Sequence, residues 1–213
     1  MKSKTFLMML WIGLLSIFLL AGCGGGNDDE TAEATESGGG EVIATTPMPP
    51  FTIMTMDGSM MVTYPQTWAV SEVEGQIMVA NTTDSLEAAV PGAGQVRGSI
   101  NVIADSALVI YGLEAGAAPG DVLAQFISLN NAETADQVTL GEPAAFDADG
   151  KQAVLASGTV TGSAGTLDIL YIVVAQTGGY GVIDLRAPQG EIAQYEDAAR
   201  TLAASLIYTA PAE

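Results

Sequence analysis

Residues 166–176, which read TLDILYIVVAQ, decide the fold of this 213-residue chain. Six consecutive positions within this stretch, Ile169 to Val174, carry apolar or aromatic side chains. Because successive side chains of a strand point to opposite faces of a sheet, an uninterrupted apolar run predicts a central strand that is buried on both faces. Residues 152–161 form a second predicted strand before it, and Gly162-Ser-Ala-Gly165 predicts the turn that joins the two.

Strand patterns continue on both sides of this hairpin. Turn signals are Asp57-Gly58, Glu74-Gly75 and Thr177-Gly178-Gly179, each between two apolar segments. Residues 84–98 predict a loop with at most one turn of helix, because Pro91, Gly92 and Gly94 interrupt any pattern. The predicted strands are 51–56, 60–64, 68–73, 76–80, 99–104 and 180–185.

Two helices are predicted to pack against this sheet. The first follows Pro119-Gly120, with Asp121 as its N-cap, and ends near Asn130-Asn131. The second covers residues 191–206, where apolar side chains recur at spacings of three and four and form one stripe. That stripe consists of Ile192, Tyr195, Ala199, Leu202 and Leu206. The predicted fold is therefore α+β, an antiparallel sheet with helices packed on its faces, in one domain of residues 45–208.

The N-terminus has the composition of a targeting signal. Lys2 and Lys4 precede a fifteen-residue apolar run over residues 6–20, shorter than the ~20 residues of a spanning helix. The tetrad Leu20-Ala-Gly-Cys23 that follows resembles a bacterial lipoprotein signal. This resemblance implies cleavage after Gly22, acylation of Cys23 with palmitate-type chains, and anchorage at the extracytoplasmic face of the cell membrane. The alternative is an uncleaved signal anchor in which Cys23 is an incidental thiol.

The predicted organisation is a signal peptide at 1–22, an acidic tether at 23–44, the domain at 45–208 and a short tail at 209–213. The tether combines glycine, small polar residues and carboxylates, so it cannot bury enough apolar surface to fold. Asp28, Asp29 and Glu30 could contact a metal ion in principle. Flexible carboxylates offer no fixed coordination geometry, which favours a solvated linker.

Charge and composition exclude several classes of function. A formal charge of −19, from six basic and twenty-five acidic residues, disfavours nucleic acid as a partner. The absence of His and the presence of a single Cys exclude Cys/His zinc sites, Ser-His-Asp triads, Cys-His dyads and internal disulfides. A Ser nucleophile would need Lys as its base, and Lys151, beside a predicted exposed turn, is the only lysine left after processing.

Several segments in order resemble the PsbP-like family. They are Tyr64-Pro-Gln-Thr-Trp68, Gly141-Glu-Pro-Ala-Ala145, the hairpin through Tyr171-Ile-Val-Val174 and Gly178-Gly-Tyr180, and Ala204-Ser-Leu206 in the final helix. The match spans residues 50–208 and implies a PsbP-like α/β/α sandwich. The family includes an extrinsic photosystem subunit, a nuclear-transport factor that binds a small GTPase, and bacterial lipoproteins. The resemblance thus implies a binding or assembly-assisting domain rather than an enzyme, with no metal ligands and no cofactor.

Two loops suggest ligands, each with a simpler interpretation. Asp147-Ala-Asp-Gly150 begins like a calcium loop, but Lys151, Gln152 and Gly158 stand where such a loop needs its later ligands and glycine. A glycine-closed β-turn is the favoured interpretation. Residues 112–120 are glycine-rich but lack the lysine of a phosphate-binding loop, which favours a mobile connecting loop.

The aromatic cluster and the methionine cluster can each be interpreted as a ligand site or as part of the hydrophobic core. Tyr64 and Trp68 could form a stacking platform for a ligand, although packing on the core is favoured. Five methionines lie in the N-terminal strands, and their thioethers suit Cu(I). Strand alternation that points side chains inward is expected to account for most of them. These methionines are Met54, Met56, Met60, Met61 and Met78.

The sequence therefore predicts a lipid-anchored, extracytoplasmic module without catalytic activity or cofactor. Its predicted partners are the membrane, through the lipid on Cys23, and an envelope protein of unknown identity. The first alternative is a solute- or metal-binding lipoprotein that takes Ca²⁺ or Cu(I). The second is a carboxylate-based hydrolase, which would need two acidic side chains facing one cleft.

Overall fold

A computed structural model describes residues 51–163 and 165–210. Within these ranges the chain forms eleven strands, three α-helices and two 3₁₀ helices. The strands are β1 Phe51–Met54, β2 Met60–Tyr64, β3 Ala69–Val73, β4 Gln76–Ala80, β5 Arg97–Ala104, β6 Gln137–Leu140, β7 Ala144–Asp147, β8 Gln152–Gly162, β9 Gly165–Gln176, β10 Gly179–Ala187 and β11 Ile207–Tyr208. The helices are α1 Thr83–Glu87, α2 Pro119–Glu133 and α3 Glu196–Ser205, with 3₁₀ turns at Asp105–Tyr111 and Ile192–Tyr195.

An eight-stranded antiparallel sheet forms the centre of the domain. Its order is β3-β4-β5-β10-β9-β8-β6, and β7 pairs with the other half of β8. The predicted hairpin of β8 and β9 is confirmed, with Val154 opposite Val173. All six residues of the apolar run in β9 are buried. Its even-numbered residues pack in one core cluster and its odd-numbered residues in the other, so the strand is buried on both faces as predicted.

One face of this sheet is covered by α3 and by a second, three-stranded sheet of order β1-β2-β11. Met60 and Val62 from β2 and Leu202 and Leu206 from the end of the chain meet Ile183 of β10 in this core. The predicted apolar stripe of the C-terminal helix is confirmed, although its first turn, Ile192–Tyr195, is 3₁₀. We refer to this side of the eight-stranded sheet as its inner face.

The opposite, outer face is covered by α2, which packs on β9, β8 and β6. The Phe126 ring meets the Tyr171 ring edge-on, with centroids 5.9 Å apart. The prediction of Asp121 as N-cap is wrong, because α2 begins at Pro119 and Ala118 is the N-cap residue. Proline has the helical φ already and lacks an N–H that the first turn would leave unpaired, so it starts the helix three residues earlier than predicted.

No helix within the described ranges is long and apolar enough to cross a bilayer.

Candidate functional site

The lipidation site predicted at Cys23, the apolar run of residues 6–20 and the acidic tether lie outside the described residues. They remain predictions from the sequence. Tyr64, Trp68, Lys151, the two candidate ligand loops and the five clustered methionines lie within the described residues.

Tyr64 and Trp68 pack against the inner core, as the simpler interpretation predicted. Both are partly buried, and the Tyr64 ring stacks on Phe51 with a centroid distance of 6.0 Å. Rings engaged in this way stabilise the small sheet against the core and do not form an open platform.

The Asp147–Gly150 segment is a β-turn, as predicted. Asp149 and Gly150 have φ values of 58° and 78°, the left-handed pair of a two-residue hairpin turn between β7 and β8. The Asp147 carboxylate accepts a hydrogen bond from the Gly150 N–H at 2.8 Å. Its oxygen is therefore used to close the turn.

Lys151 follows the exposed turn residues Asp149 and Gly150, as the sequence predicted, but its own side chain is only partly exposed. The side chain is half-buried, and its Nζ donates to the carbonyl oxygens of Ala204 and Leu206 at 2.7 and 2.9 Å. Burial lowers the pKa of this ammonium, and the nearby Asp149 only partly offsets that effect. Lys151 thus closes the carboxyl end of α3, and both of its hydrogen-bond partners in the described ranges are backbone carbonyls.

The glycine-rich connection forms a loop over residues 112–118, and Pro119 and Gly120 belong to α2. The Tyr180 hydroxyl donates to the Ala117 carbonyl and ties the end of this loop to β10. The predicted loop is confirmed except for its last two residues.

The expectation that most clustered methionines point inward is wrong. Met60 is the only one of the five that is buried, at 1% exposure, whereas Met61 and Met78 are half-buried. Met54 and Met56 are exposed by 57% and 90%. The reason is the register of β1 and β2, which places Met54 opposite Met61, on the face of the small sheet away from the core.

This register forms a row of apolar side chains on the side of the three-stranded sheet that faces away from the core. Met61 lies opposite Met54 of β1 on one side and opposite Ile207 of β11 on the other. Ile207 is 49% exposed. We call Met54, Met61 and Ile207 the Met54–Ile207 row. The sequence contained no signal for it, because the two-residue strand β11 joins the sheet from the far end of the chain.

Two of the clefts on the described surface have a size and lining that bear on ligand binding. One, of about 340 Å³, is lined by polar residues and includes two carboxylates, those of Asp57 and Glu74. Hydrogen bonds from Ser59 and Thr55 lower the pKa of Asp57 and hold its carboxylate within its own turn. The second cleft, of about 580 Å³, is mainly apolar and lies between the start of α2 and strands β7 and β8. No group of three or more His, Cys, Asp or Glu side chains that could hold a metal ion occurs in the described ranges.

A cluster of charged side chains lies on the outer face of the eight-stranded sheet, where β5 meets β10. Arg97 and Arg186 are direct cross-strand partners, as are Ser99 and Asp184 one position further along the same face. The Arg186 Nε lies 3.4 Å from the Asp184 Oδ2. The sequence analysis missed this cluster, because Ser99 and Asp184 lie 85 positions apart in the sequence, on strands that only the sheet order makes neighbours.

No protein-family model matches this chain, and no curated protein matches it in sequence. Solved structures do resemble it. The cyanobacterial PsbP, CyanoP, of Synechocystis sp. PCC 6803 has a TM-score of 0.45 and 20% identity, over 82% of this chain and 98% of that one. LpqN, described as involved in cell envelope biogenesis of Mycobacterium tuberculosis, has a TM-score of 0.43 and 14% identity, over 76% and 86% of the two chains. The Ran-binding protein Mog1p of Saccharomyces cerevisiae has a TM-score of 0.43 and 12% identity, over 73% and 86%.

The α+β class predicted from the sequence is confirmed by the antiparallel sheets and the helices packed on them. A PsbP protein is among the solved structures that the chain resembles. Likenesses at this level of identity and TM-score say nothing about what this chain binds.

Proposed function

We propose that this chain is a lipid-anchored, extracytoplasmic docking module that acts without catalysis. Acyl chains on Cys23 hold it to the membrane, and the folded domain binds a partner protein of the cell envelope. The lipoprotein-like tetrad Leu20-Ala-Gly-Cys23 supports the anchor. Each buried methylene contributes about 0.8 kcal/mol, so two or more chains give durable attachment.

The observation that carries the docking function is the Met54–Ile207 row. Exposed apolar side chains in one contiguous row mark interaction surfaces, and methionine is enriched at interfaces because its flexible thioether adapts to the partner. Met56 lies in the turn after β1, two residues beyond Met54, and adds a further apolar side chain that is 90% exposed. No residue of the described ranges packs over this row as part of a buried core cluster.

The partner is an envelope protein with an apolar groove and a basic rim. The groove would take the Met54–Ile207 row, and the rim would complement the formal charge of −19 of this chain. Complementary charge of this kind accelerates association and selects the partner more than it adds affinity.

The absence of catalysis is supported by the chemistry of the available side chains. The chain has no His, and its lone Cys is the proposed lipid attachment site. Lys151, the one base that a Ser nucleophile could use after processing, donates to two backbone carbonyls of the α3 end.

Photo-crosslinking in the native membrane tests the docking face. A diazirine side chain at position 54 or 207 is expected to give one discrete adduct with an envelope protein. Position 109 is the matched control, because Val109 is also apolar and is 74% exposed on another element. Met61→Lys should abolish the adduct at position 54 by placing a charge in the middle of the row. Adducts of equal yield from position 109, or none from 54 and 207, would contradict the docking face.

A separate experiment tests the anchor. Cells fed an alkyne fatty acid should label the wild-type protein and leave Cys23→Ser unlabelled. Equal labelling of both proteins, or no labelling of the wild-type protein, would refute lipidation at this residue while leaving the docking face to its own test.

A second candidate function, Cu(I) binding, is favoured by one specific observation. The register of β1 and β2 places the thioethers of Met54 and Met61 on neighbouring positions of one exposed face. Replacing both by Leu separates the two functions, since Leu keeps the apolar row but removes sulfur. Isothermal titration with Cu(I) should then lose its heat if the thioethers bind, whereas the adduct cross-linked from position 207 should persist.

A further inference from the structure

Two of the six basic residues of this acidic chain lie directly opposite each other. Arg97 and Arg186 are register partners on β5 and β10, and both side chains project from the outer face of the eight-stranded sheet. Like charges directly opposite each other on a sheet are destabilising. The basic residues of the whole chain are Lys2, Lys4, Arg97, Lys151, Arg186 and Arg200.

The charge of Arg186 is balanced within the fold. Its Nε forms an ion pair with the Asp184 Oδ2 at 3.4 Å. The other oxygen of Asp184 accepts hydrogen bonds from the Ser99 backbone N–H, at 3.1 Å, and from the Ser99 hydroxyl. The Asn101 amide donates in turn to the Ser99 Oγ at 2.8 Å. This chain of hydrogen bonds fixes Asp184, and Asp184 fixes Arg186. Asp136, further away, also favours the charged form of Arg186.

The charge of Arg97 is not balanced in the same way. Within residues 51–163 and 165–210, its half-buried guanidinium has no hydrogen bond and no ion pair within 4 Å. Burial, and then the neighbouring Arg186, lower the pKa of Arg97, and Asp184 offsets this only in part. Burial also lowers the pKa of Arg186, but Asp184, Tyr171 and Asp136 together outweigh burial, and the net shift is upward. One of the two adjacent cations thus has no ion-pair partner of its own among the described residues.

We propose that Arg97, with Arg186 beside it, binds a single carboxylate group of a ligand. The planar guanidinium presents paired N–H donors that match the two oxygens of a carboxylate. One unbalanced positive charge calls for a monoanion, and a phosphate dianion would be repelled more strongly by a chain of formal charge −19. The Arg186 side chain is 37% exposed, so a ligand reaches the pair from solvent.

This site goes beyond the proposed docking function and lies elsewhere on the molecule. The Met54–Ile207 row belongs to the three-stranded sheet, which packs on the inner face, whereas Arg97 and Arg186 lie on the outer face. Loss of carboxylate binding would therefore leave the cross-linking result unchanged. Loss of the cross-linked adduct would likewise leave carboxylate binding unchanged.

Selective labelling gives a direct test, because the chain has three arginines. The full chain, labelled with ¹⁵N-arginine in detergent micelles, should show an Nε–Hε signal for each at pH 7. Sodium acetate then replaces sodium chloride at constant ionic strength. The Arg97 and Arg186 signals should shift saturably. Arg200 should not, because its guanidinium pairs with Glu196 at 2.8 Å and lies over the Phe146 ring. An Arg97 signal that does not move, or that moves no more than Arg200, would overturn the proposal.

Two further arms identify the anion and its source. Inorganic phosphate should bind less tightly than acetate, and the reverse order would overturn the choice of a monoanion. Aspartate blocked at both backbone ends presents the carboxylate of a protein side chain. Affinity at least about tenfold above that of acetate would assign the carboxylate to a partner protein, and equal affinity to a free small molecule.

A matched pair of variants assigns the binding to the guanidinium. Arg97→Gln should abolish the saturable shift of the Arg186 signal, whereas Arg97→Lys, which keeps the charge but loses the planar fork, should weaken it by about tenfold. An unchanged Arg200 signal in each variant reports that the fold is intact. Saturable binding that survives in Arg97→Gln would place the site elsewhere and refute the assignment.

Discussion

At the scale of single residues, Gly98 of β5 is the glycine at which an added Cβ would lie closest to a neighbouring atom. A Cβ built on Gly98 would overlap the backbone carbonyl oxygen of Asp184 on the neighbouring strand. Backbone cannot move aside as a side chain can, because moving it breaks the ladder between β5 and β10. Gly120, in the first turn of α2, has open space around the equivalent position and no left-handed φ.

Gly98→Ala and Gly120→Ala should therefore shift stability in opposite directions. The first should lower the free energy of unfolding by about 3 kcal/mol or prevent folding, because the strands must separate locally. The second should raise it by about 0.5–1 kcal/mol through the lower entropy of the unfolded chain. Urea unfolding followed by circular dichroism measures both. Equal effects of the two substitutions would contradict the close approach of the strands.

Tyr171 makes stability depend on alkaline pH. Burial, and secondarily the Asp184 carboxylate, raise the pKa of this phenol above its usual value of 10.0. A group whose pKa is raised by folding stabilises the native state fully below its unfolded pKa and loses that contribution as the pH rises beyond it.

We expect the free energy of unfolding to fall by up to about 1.4 kcal/mol per pH unit above pH 10 on account of Tyr171 alone. Tyr171→Phe should remove this slope, and the difference between the two proteins isolates it from the other tyrosines. Urea titrations at pH 9, 10 and 11 provide the measurement. Parallel pH curves for the two proteins would mean that the phenol ionises as readily in the folded state as in the unfolded state.

At the scale of elements, the C-terminal helix depends on a side chain from a distant turn. The last carbonyl groups of a helix have no partner within the helix itself. At the end of α3 the Lys151 ammonium binds the carbonyls of Ala204 and Leu206, and the Gln176 amide donates to Leu206 as well, at 3.1 Å. The β7–β8 turn thereby attaches to the element that closes the inner core.

Lys151→Met should therefore destabilise the domain by about 1–3 kcal/mol, since the aliphatic stem is kept but both charge-assisted hydrogen bonds are lost. Gln152→Met is the matched control, because the neighbouring side chain is exposed and should change stability by less than about 0.5 kcal/mol. Thermal unfolding of both variants gives the comparison. A Lys151→Met protein as stable as the control would show that water replaces the ammonium without cost.

At the scale of the whole molecule, pattern-based prediction succeeded where the signal was local. The hairpin of β8 and β9, the α3 stripe and the two-residue turn at Asp149-Gly150 each depend on residues within about one element of each other. It failed for short strands on the sheet periphery. β6, β7 and β11 contain four, four and two residues, too few for a period of two to be distinguished from chance.

The surfaces proposed to bind ligands follow from connections that no local pattern contains. The Met54–Ile207 row needs β1 and β11, from opposite ends of the domain, in one sheet. The Arg97–Arg186 pair likewise needs β5 beside β10. Composition predicted that methionines in strands would turn inward, and the register of β1 against β2 decided otherwise for Met54.

The amino-acid sequence alone determined the class of the fold, the central strand buried on both faces, the C-terminal helix and the absence of histidine chemistry. These follow from residue type and short-range periodicity, which act through burial and backbone propensity within a single element. The tertiary structure decided which strands became neighbours, and with them which methionines face solvent and which arginines face each other. The physical reason is that strand pairing is set by the packing of the whole core, and a shift of one residue in register turns every side chain of a strand to the other face.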